Sequence, residues 1–190
     1  ISVAFVTTSG VAAIINKLKQ LDDREIKGKI LVSQYLNFTQ PEALKRLLQF
    51  NNIDLRIATT GNAHTKGYIF KSKKHYNLIV GSSNLTAQAL STNKEWNIKV
   101  SALDESGIVE KVMREFHSDF EKGTPVTAEY ILTYEEIYQS QFLLNRKNNL
   151  ESLVEAQPLI RPNSMQIEAL ENLKNLRVEG KNKALIISAT

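Results

Sequence analysis

The sequence predicts an α/β fold, a mostly parallel or mixed sheet flanked by helices and followed by a helical C-terminal extension. Three observations point to it. Short runs rich in β-formers recur at residues 2–6, 29–33 and 54–58. Stretches with helical apolar spacing fill the intervals between them, the alternation that produces a largely parallel sheet. The 190 residues, 42% hydrophobic and 23% charged, suffice to bury one ordinary core and part of a second unit.

The elements follow in order. After the first strand and the turn Thr7-Thr8-Ser9-Gly10, apolar residues at Val11, Ile14, Ile15, Leu18 and Leu21 predict an amphipathic helix. The strand at 29–33 leads to a helix opened by Pro41, whose fixed φ suits a first turn, and running to about Phe50. The strand at 54–58 comes next. Residues 64–70 and 76–80 read as two more strands joined by the basic turn Lys71-Ser72-Lys73-Lys74. A short helix over 85–90, capped by Asn84 or Thr86, and a strand over 95–101 complete a β-β-α-β centre. Residues 106–121 place Ile108, Val109, Val112, Met113, Phe116 and Phe120 on one helical face, which is expected to pack on the sheet and close the domain.

Composition shifts after Lys122-Gly123-Thr124-Pro125, so a first domain is expected over 1–125. Residues 126–157, helical in propensity and rich in Glu, Gln, Asn and Tyr, read as a helical linker. A new unit over 158–190 opens with Pro162-Asn163-Ser164 before a helix and ends in the apolar run Ala184-Leu-Ile-Ile-Ser-Ala-Thr190. The first residue is Ile1 rather than Met, and the last run resembles a strand without the turn it should feed, so both ends are expected to continue in a longer protein.

The chain has no cysteine, which excludes disulfides and thiolate-bound zinc. No apolar run approaches the ~20 residues needed to span a bilayer and no signal-peptide pattern opens the chain, so a cytoplasmic protein without a membrane partner is expected. A net charge of +4 and a pI near 9.2 suit an anionic partner, as weak support for nucleic acid.

The chemistry sits in the centre. Side chains alternate along a strand, so His64 and Lys66 are expected to project to one side with Thr65 facing away. Gly81-Ser82-Ser83-Asn84 follows a buried strand, where backbone and small polar groups can approach a phosphate closely. Alone, the first is a chance triplet and the second a capped strand-to-helix turn. Together, His64-x-Lys66, Gly81-Ser82-x-Asn84 and Glu95, eleven residues beyond Asn84, resemble the signature of the phospholipase D superfamily. The string Gly81-Ser-Ser-Asn-Leu-Thr86 with Glu95-Trp96-Asn97 looks most like its nuclease branch, including restriction-type and helicase-linked members. The resemblance covers roughly residues 1–122. It departs at Lys71, where the family usually has an aspartate, a loss that argues against a lipase more than against catalysis.

The resemblance implies a metal-independent DNA endonuclease, with no cofactor for this domain. Cleaving a phosphodiester without a metal takes a nucleophile, an acid for the leaving oxygen and fixed positive charge for the phosphoryl oxygens. His64 would attack phosphorus and form a phosphohistidine. Lys66, Ser82 and Asn84 would hold the developing charge, each well-placed donor being worth roughly 3 kcal/mol. Glu95 would accept a bond from one imidazole nitrogen and fix the tautomer. One histidine cannot easily be nucleophile and acid in the same step, so the resemblance implies a homodimer with two His64-Lys66 pairs across a two-fold axis.

Weaker candidates surround the site. His75 and His117 read as solvated, and Trp96 as buried, with stacking on a base as the alternative. Lys71, Lys73 and Lys74 form either a solvated turn or, beside a phosphodiesterase site, a contact for DNA phosphates. Arg161-Pro-Asn-Ser-Met-Gln166, a helix and the final apolar run resemble the opening of a helicase or translocase core. The phosphate-binding Gly-x-Gly-Lys-Ser/Thr is missing, so ATP is implied only for a missing remainder. Two other functions compete: a non-catalytic DNA-binding and dimerisation module, for which the histidine-carboxylate pair would be superfluous, and a phosphatidyl transferase or lipase, for which neither paired motifs nor an interfacial apolar element is present.

Overall fold

A computed structural model describes residues 1–34, 37–59, 63–154, 164–181 and 183. The order is β1 (Ser2–Val3), α1 (Thr8–Asp22), β2 (Gly28–Val32), α2 (Pro41–Leu47), β3 (Ile53–Ile57), β4 (Lys66–Ser72), β5 (His75–Gly81), α3 (Ala87–Ser91), β6 (Asn97–Leu103), α4 (Gly107–Lys122), β7 (Thr124–Pro125), α5 (Ala128–Val154) and α6 (Ser164–Val178). Seven strands form one sheet in the order β6-β5-β4-β1-β2-β3-β7.

The sheet is mixed, flanked by helices, as the α/β expectation allowed. Strands β1, β2 and β3 run parallel because a helix crosses over between each pair. The β4-β5 hairpin has only Lys73 and Lys74 between paired Ser72 and His75, so those strands must run antiparallel. Lys73 takes a positive φ of 51° in that turn. The two-residue strand β7, absent from the sequence reading, pairs antiparallel with β3.

Each face has its own core. Along β4 and β5 the paired Tyr68 and Ile79 join the larger cluster, while the adjacent pair Ile69 and Leu78 joins the smaller one. The larger core packs Ile30, Val32, Leu55 and Ile57 against Val11 and Leu18 of α1, Leu44 and Leu47 of α2 and Ile131 and Tyr134 of α5. Each fully buried aliphatic side chain contributes roughly 1.5–3 kcal/mol. The smaller core sets Tyr76 and Leu78 against Val109 of α4, with Val112 and Met113 partly buried; Ile108, expected on that face, is about half exposed.

Element ends move where side chains compete for the backbone. Strand β1 stops at Val3 rather than residue 6 because the Asn84 side chain takes the amides of Ala4 and Phe5. Helix α1 starts at Thr8, earlier than Val11, because the Thr7 hydroxyl accepts from Gly10 N at 3.1 Å. Gly10 is required there, since a Cβ would stand 1.9 Å from the Leu85 carbonyl oxygen.

The chain divides into compact units, Ile1–Leu144 and Asn145–Thr190. The first extends beyond the boundary expected at 125. Val126, Ile131 and Tyr134 are buried, and the Tyr134 hydroxyl donates to the Thr39 carbonyl at 2.7 Å, so the start of α5 belongs to the core rather than to a linker. In the second unit α6 occupies Ser164–Val178 and closes at Gly180, whose φ of 75° suits a glycine stop. The turn at Pro162 and the strand expected over 184–190 lie outside the described residues. No helix among the described residues is long and apolar enough to cross a membrane.

Candidate active site

The residues singled out by their spacing meet at the end of the sheet where β1, β2 and β3 terminate, β4 begins and β5 ends. Lys66 opens β4 opposite Val3, and Gly81 closes β5 opposite Asn97. His64 precedes β4 instead of lying on it, yet it reaches the same side as Lys66. Lys66 Nζ lies 2.8 Å from His64 Nδ1, 3.0 Å from Nε2 and 3.1 Å from the His64 carbonyl oxygen. An ammonium only donates, so the ring nitrogen it meets must offer a lone pair. Thr65 turns the other way, its hydroxyl 2.8 Å from that of Ser2.

The loop after β5 is held from every side. Gly81 is a requirement of close approach, because a Cβ would meet Trp96 O at 2.1 Å and Asn97 Oδ1 at 2.3 Å. Ser83 is buried, its hydroxyl accepting from Asn97 Nδ2 at 2.8 Å and its carbonyl from the Tyr68 hydroxyl at 3.0 Å. Asn84 is also buried, and Oδ1 accepts from Ala4 N at 3.1 Å and Phe5 N at 3.3 Å. With its oxygen so engaged, the amide offers Nδ2 for donation. Thr86, not Asn84, caps α3, which spans Ala87–Ser91.

Ser82 is the exposed member of the loop. Its hydroxyl donates to Glu95 Oε2 in a short hydrogen bond and accepts from Trp96 N at 3.0 Å, while Ser82 N donates to Trp96 O at 3.0 Å. Glu95, just ahead of β6 rather than on it, also accepts from Asn93 Nδ2 at 3.4 Å. Its charge acts on both Lys66 and Tyr68. Burial holds the Lys66 ammonium below lysine's ordinary range, and the Glu95 carboxylate opposes that shift. Burial, seconded by Glu95, pushes the Tyr68 phenol up to about 12, so it stays a neutral donor to Ser83.

These residues make a coherent set: an exposed imidazole, a cation against it and a carboxylate tied to a loop of hydrogen-bonding groups. A family model described as cardiolipin synthase, PLD-like domain, matches residues 1–122, which hold every one of them. The chain belongs to the phospholipase D-like family. Among solved structures, NucT from Helicobacter pylori is similar to it with a TM-score of 0.51 and 20% identity, covering 66% of this chain and 80% of that one. The phospholipase D family member Nuc from Salmonella typhimurium gives a TM-score of 0.47 and 18% identity, covering 67% and 78%. At such identity the likeness to NucT speaks for the shared fold. No curated protein matches the chain.

The weaker candidates separate. His75 and His117 are exposed as expected. Trp96 is not buried but 88% exposed, because it sits at the start of edge strand β6 next to exposed Ile98. Lys71, Lys73 and Lys74 are not beside the site: the hairpin carries them to the far end of β4 and β5, Lys71 already roughly 17 Å along the strand from Lys66. Lys71 Nζ lies instead 5.2 Å from the Tyr76 ring centroid. Spacing alone did not single out Tyr68, Ser83 or Asn97. Tyr68 could have been found two residues after Lys66 on the same strand face, and Asn97 in the quoted string after Glu95. No group of three or more acidic, His or Cys side chains able to hold a metal occurs among the described residues.

Proposed function

We propose that this chain is a metal-independent DNA phosphodiesterase, the endonuclease domain of a larger DNA-processing protein. The observation that carries the reading is the exposed His64 ring with the Lys66 ammonium against it, beside the loop that presents Ser82 and Asn84. A His64 ring nitrogen attacks phosphorus, a nitrogen–phosphorus bond forms, and the bond to the leaving oxygen breaks. The leaving oxygen takes a proton from His64 of a second copy. Water then attacks the phosphohistidine and gives a proton back to that second imidazole, freeing His64 and a phosphate monoester. Lys66 exchanges its contacts with the ring for the phosphoryl oxygens, and Asn84 Nδ2 donates to one of them, where preorganised donors act most strongly. Glu95, bonded to Ser82, sets the charge balance at Lys66.

The edge of the sheet offers an exposed apolar surface for a second copy. Strand β6 is a sheet edge, and Trp96, Ile98 and Val80 are 88%, 71% and 56% exposed on it and its neighbour. Val80 and Ile98 are direct cross-strand partners, and Trp96 lies two residues before Ile98, so the three share one face, that of Leu78 and α4. The chemistry asks for the second copy independently, since the leaving oxygen needs an imidazole other than the one that attacks phosphorus. We further assign the basic turn at Lys71, Lys73 and Lys74 to DNA phosphates remote from the cut, and residues 158–190 to the start of a helicase or translocase core, the only part for which ATP is invoked.

The test is cleavage of labelled single- and double-stranded DNA in excess chelator by wild type and His64→Ala, with the oligomeric state measured by light scattering. Chelator-resistant cutting by a dimer, lost in the variant, supports the reading. Equal products from both proteins, or cutting abolished by chelator, contradict it.

A further inference from the structure

Just before α2 an aromatic ring packs against Phe5, and the chemistry above makes no use of it. Phe38 is 52% exposed, and its ring meets that of half-buried Phe5 edge-on, centroids 5.5 Å apart at 64°. Phe5 is in direct contact with the site, since its amide donates to Asn84 Oδ1.

The residues around Phe38 are tied down. Asn37, with a φ of 54°, donates from Nδ2 to Gln141 Oε1, and Gln34 Nε2 donates to the Tyr130 hydroxyl at 2.6 Å. Thr39 is fully buried, its hydroxyl donating to the Ser33 carbonyl and its own carbonyl accepting from Tyr134. Gln40 N bonds Val6 O at 3.0 Å, and Gln40 Oε1 accepts from Thr8 N at 2.8 Å. With Asn37 and Thr39 on either side of it held this way, Phe38 is preorganised to offer the face of its half-bare phenyl ring.

Position narrows what the ring can meet. In the strand order, β2 lies two strand spacings from β4, roughly 10 Å, on the side of Lys66 opposite to Trp96 and β6. The cavity of about 440 Å³ that His64 and Lys66 share with α4 is walled on its α4 side by Glu115 and Asp119, whose charge repels a phosphodiester chain in that direction. A strand leaving the pocket therefore runs toward Phe5 and Phe38.

We propose that Phe38, braced by Phe5, is a stacking platform for a nucleobase adjoining the bound phosphodiester, which makes single-stranded nucleic acid the substrate class. The proposal rests on the phosphodiesterase reading of the site. In a duplex both faces of each base are covered by its neighbours, so only an unstacked strand can lay a base on the ring.

The test is binding of a fluorescent oligothymidylate and of an equal-length abasic strand to the full 190-residue chain, followed by anisotropy at one salt concentration. The wild type is expected to favour the base-bearing strand roughly tenfold, as stacking of one base supports. Phe38→Ala loses that preference and Phe38→Tyr keeps it. Equal wild-type affinity for the two strands, an unchanged preference in Phe38→Ala, or an equal fall on both strands overturns the platform. Failure of the parent reading shows separately: His64→Ala then cuts a labelled strand as the wild type does, or neither cuts, whatever the binding preference.

Discussion

Replacing Gly81 by alanine tests how tightly the β5-β6 ladder and the Ser82–Asn84 loop are coupled. The added Cβ would stand 2.1 Å from Trp96 O, 2.3 Å from Asn97 Oδ1 and 2.7 Å from Asn97 Cα, whereas ordinary contact begins near 3.4 Å. Two of those atoms are backbone and cannot rotate away, so the start of β6 must retreat by about 1 Å. That retreat loosens the Trp96 bonds to Ser82 and shifts Glu95 from the Ser82 hydroxyl. Overpacking of this kind costs about 1–3 kcal/mol, and a 1 Å misplacement at a reacting site costs about 100-fold in rate. With a urea slope of about 2 kcal/mol per molar, a 2 kcal/mol loss lowers the unfolding midpoint by about 1 M. Gly67→Ala is the matched control, since its Cβ would have nothing within 4 Å. It should leave stability unchanged or raise it by about 0.5 kcal/mol. The assays are urea unfolding by circular dichroism and turnover of a chromogenic phosphodiester. Equal behaviour of the two variants would refute the argument that close approach of β6 shapes the site.

Three other outcomes follow from the same geometry. In the proposed mechanism activity needs the Lys66 ammonium, so it is present below the lowered pKa of Lys66 and fades as pH rises through it. The basic limb of the pH–rate profile should move to lower pH in Glu95→Gln, which removes the carboxylate that holds the ammonium charged, and should disappear upward in Lys66→Arg. Asn84→Asp keeps an oxygen for the amides of Ala4 and Phe5 but loses the Nδ2 donor and adds negative charge, so the unfolding midpoint should hold while turnover falls about 100-fold or more; Asn84→Ala should lose both. Replacing Lys71, Lys73 and Lys74 together by alanine should leave turnover of a small diester intact and reduce the salt slope of binding to long DNA by up to about 3.

Much of the fold was legible because its determinants are local. The helical spacing of Val11, Ile14, Ile15 and Leu18, Pro41 in a first turn and the alternation through Tyr76 and Leu78 each act over a few residues. Element ends were less legible, since they depend on distant side chains: Asn84 ends β1 from 80 residues away. The same cause explains β7 and the start of α5, which gain their structure from β3 and the core around Thr39. The spatial grouping of the candidate residues was readable because His64-x-Lys66 and Gly81-Ser82-x-Asn84 sit at strand ends that the sheet order brings together. Partner assignments within it were not. Spacing cannot show that Glu95 receives the Ser82 hydroxyl, or that a two-residue hairpin takes the lysine cluster away from the site. Trp96 was misplaced because burial of a tryptophan on an edge strand depends on what lies beyond that edge.

The proposed mechanism turns on covalent phosphorylation of His64 during turnover. Rapid mixing with a single-stranded oligonucleotide in excess chelator, an alkaline quench that preserves phosphoramidates, and peptide mass analysis test it directly. A phosphoryl-nucleotide adduct is expected on the peptide carrying His64, forming and decaying at rates compatible with turnover and absent from His64→Ala. Full cleavage with no adduct at His64 at any time, or an adduct on another residue, would contradict it.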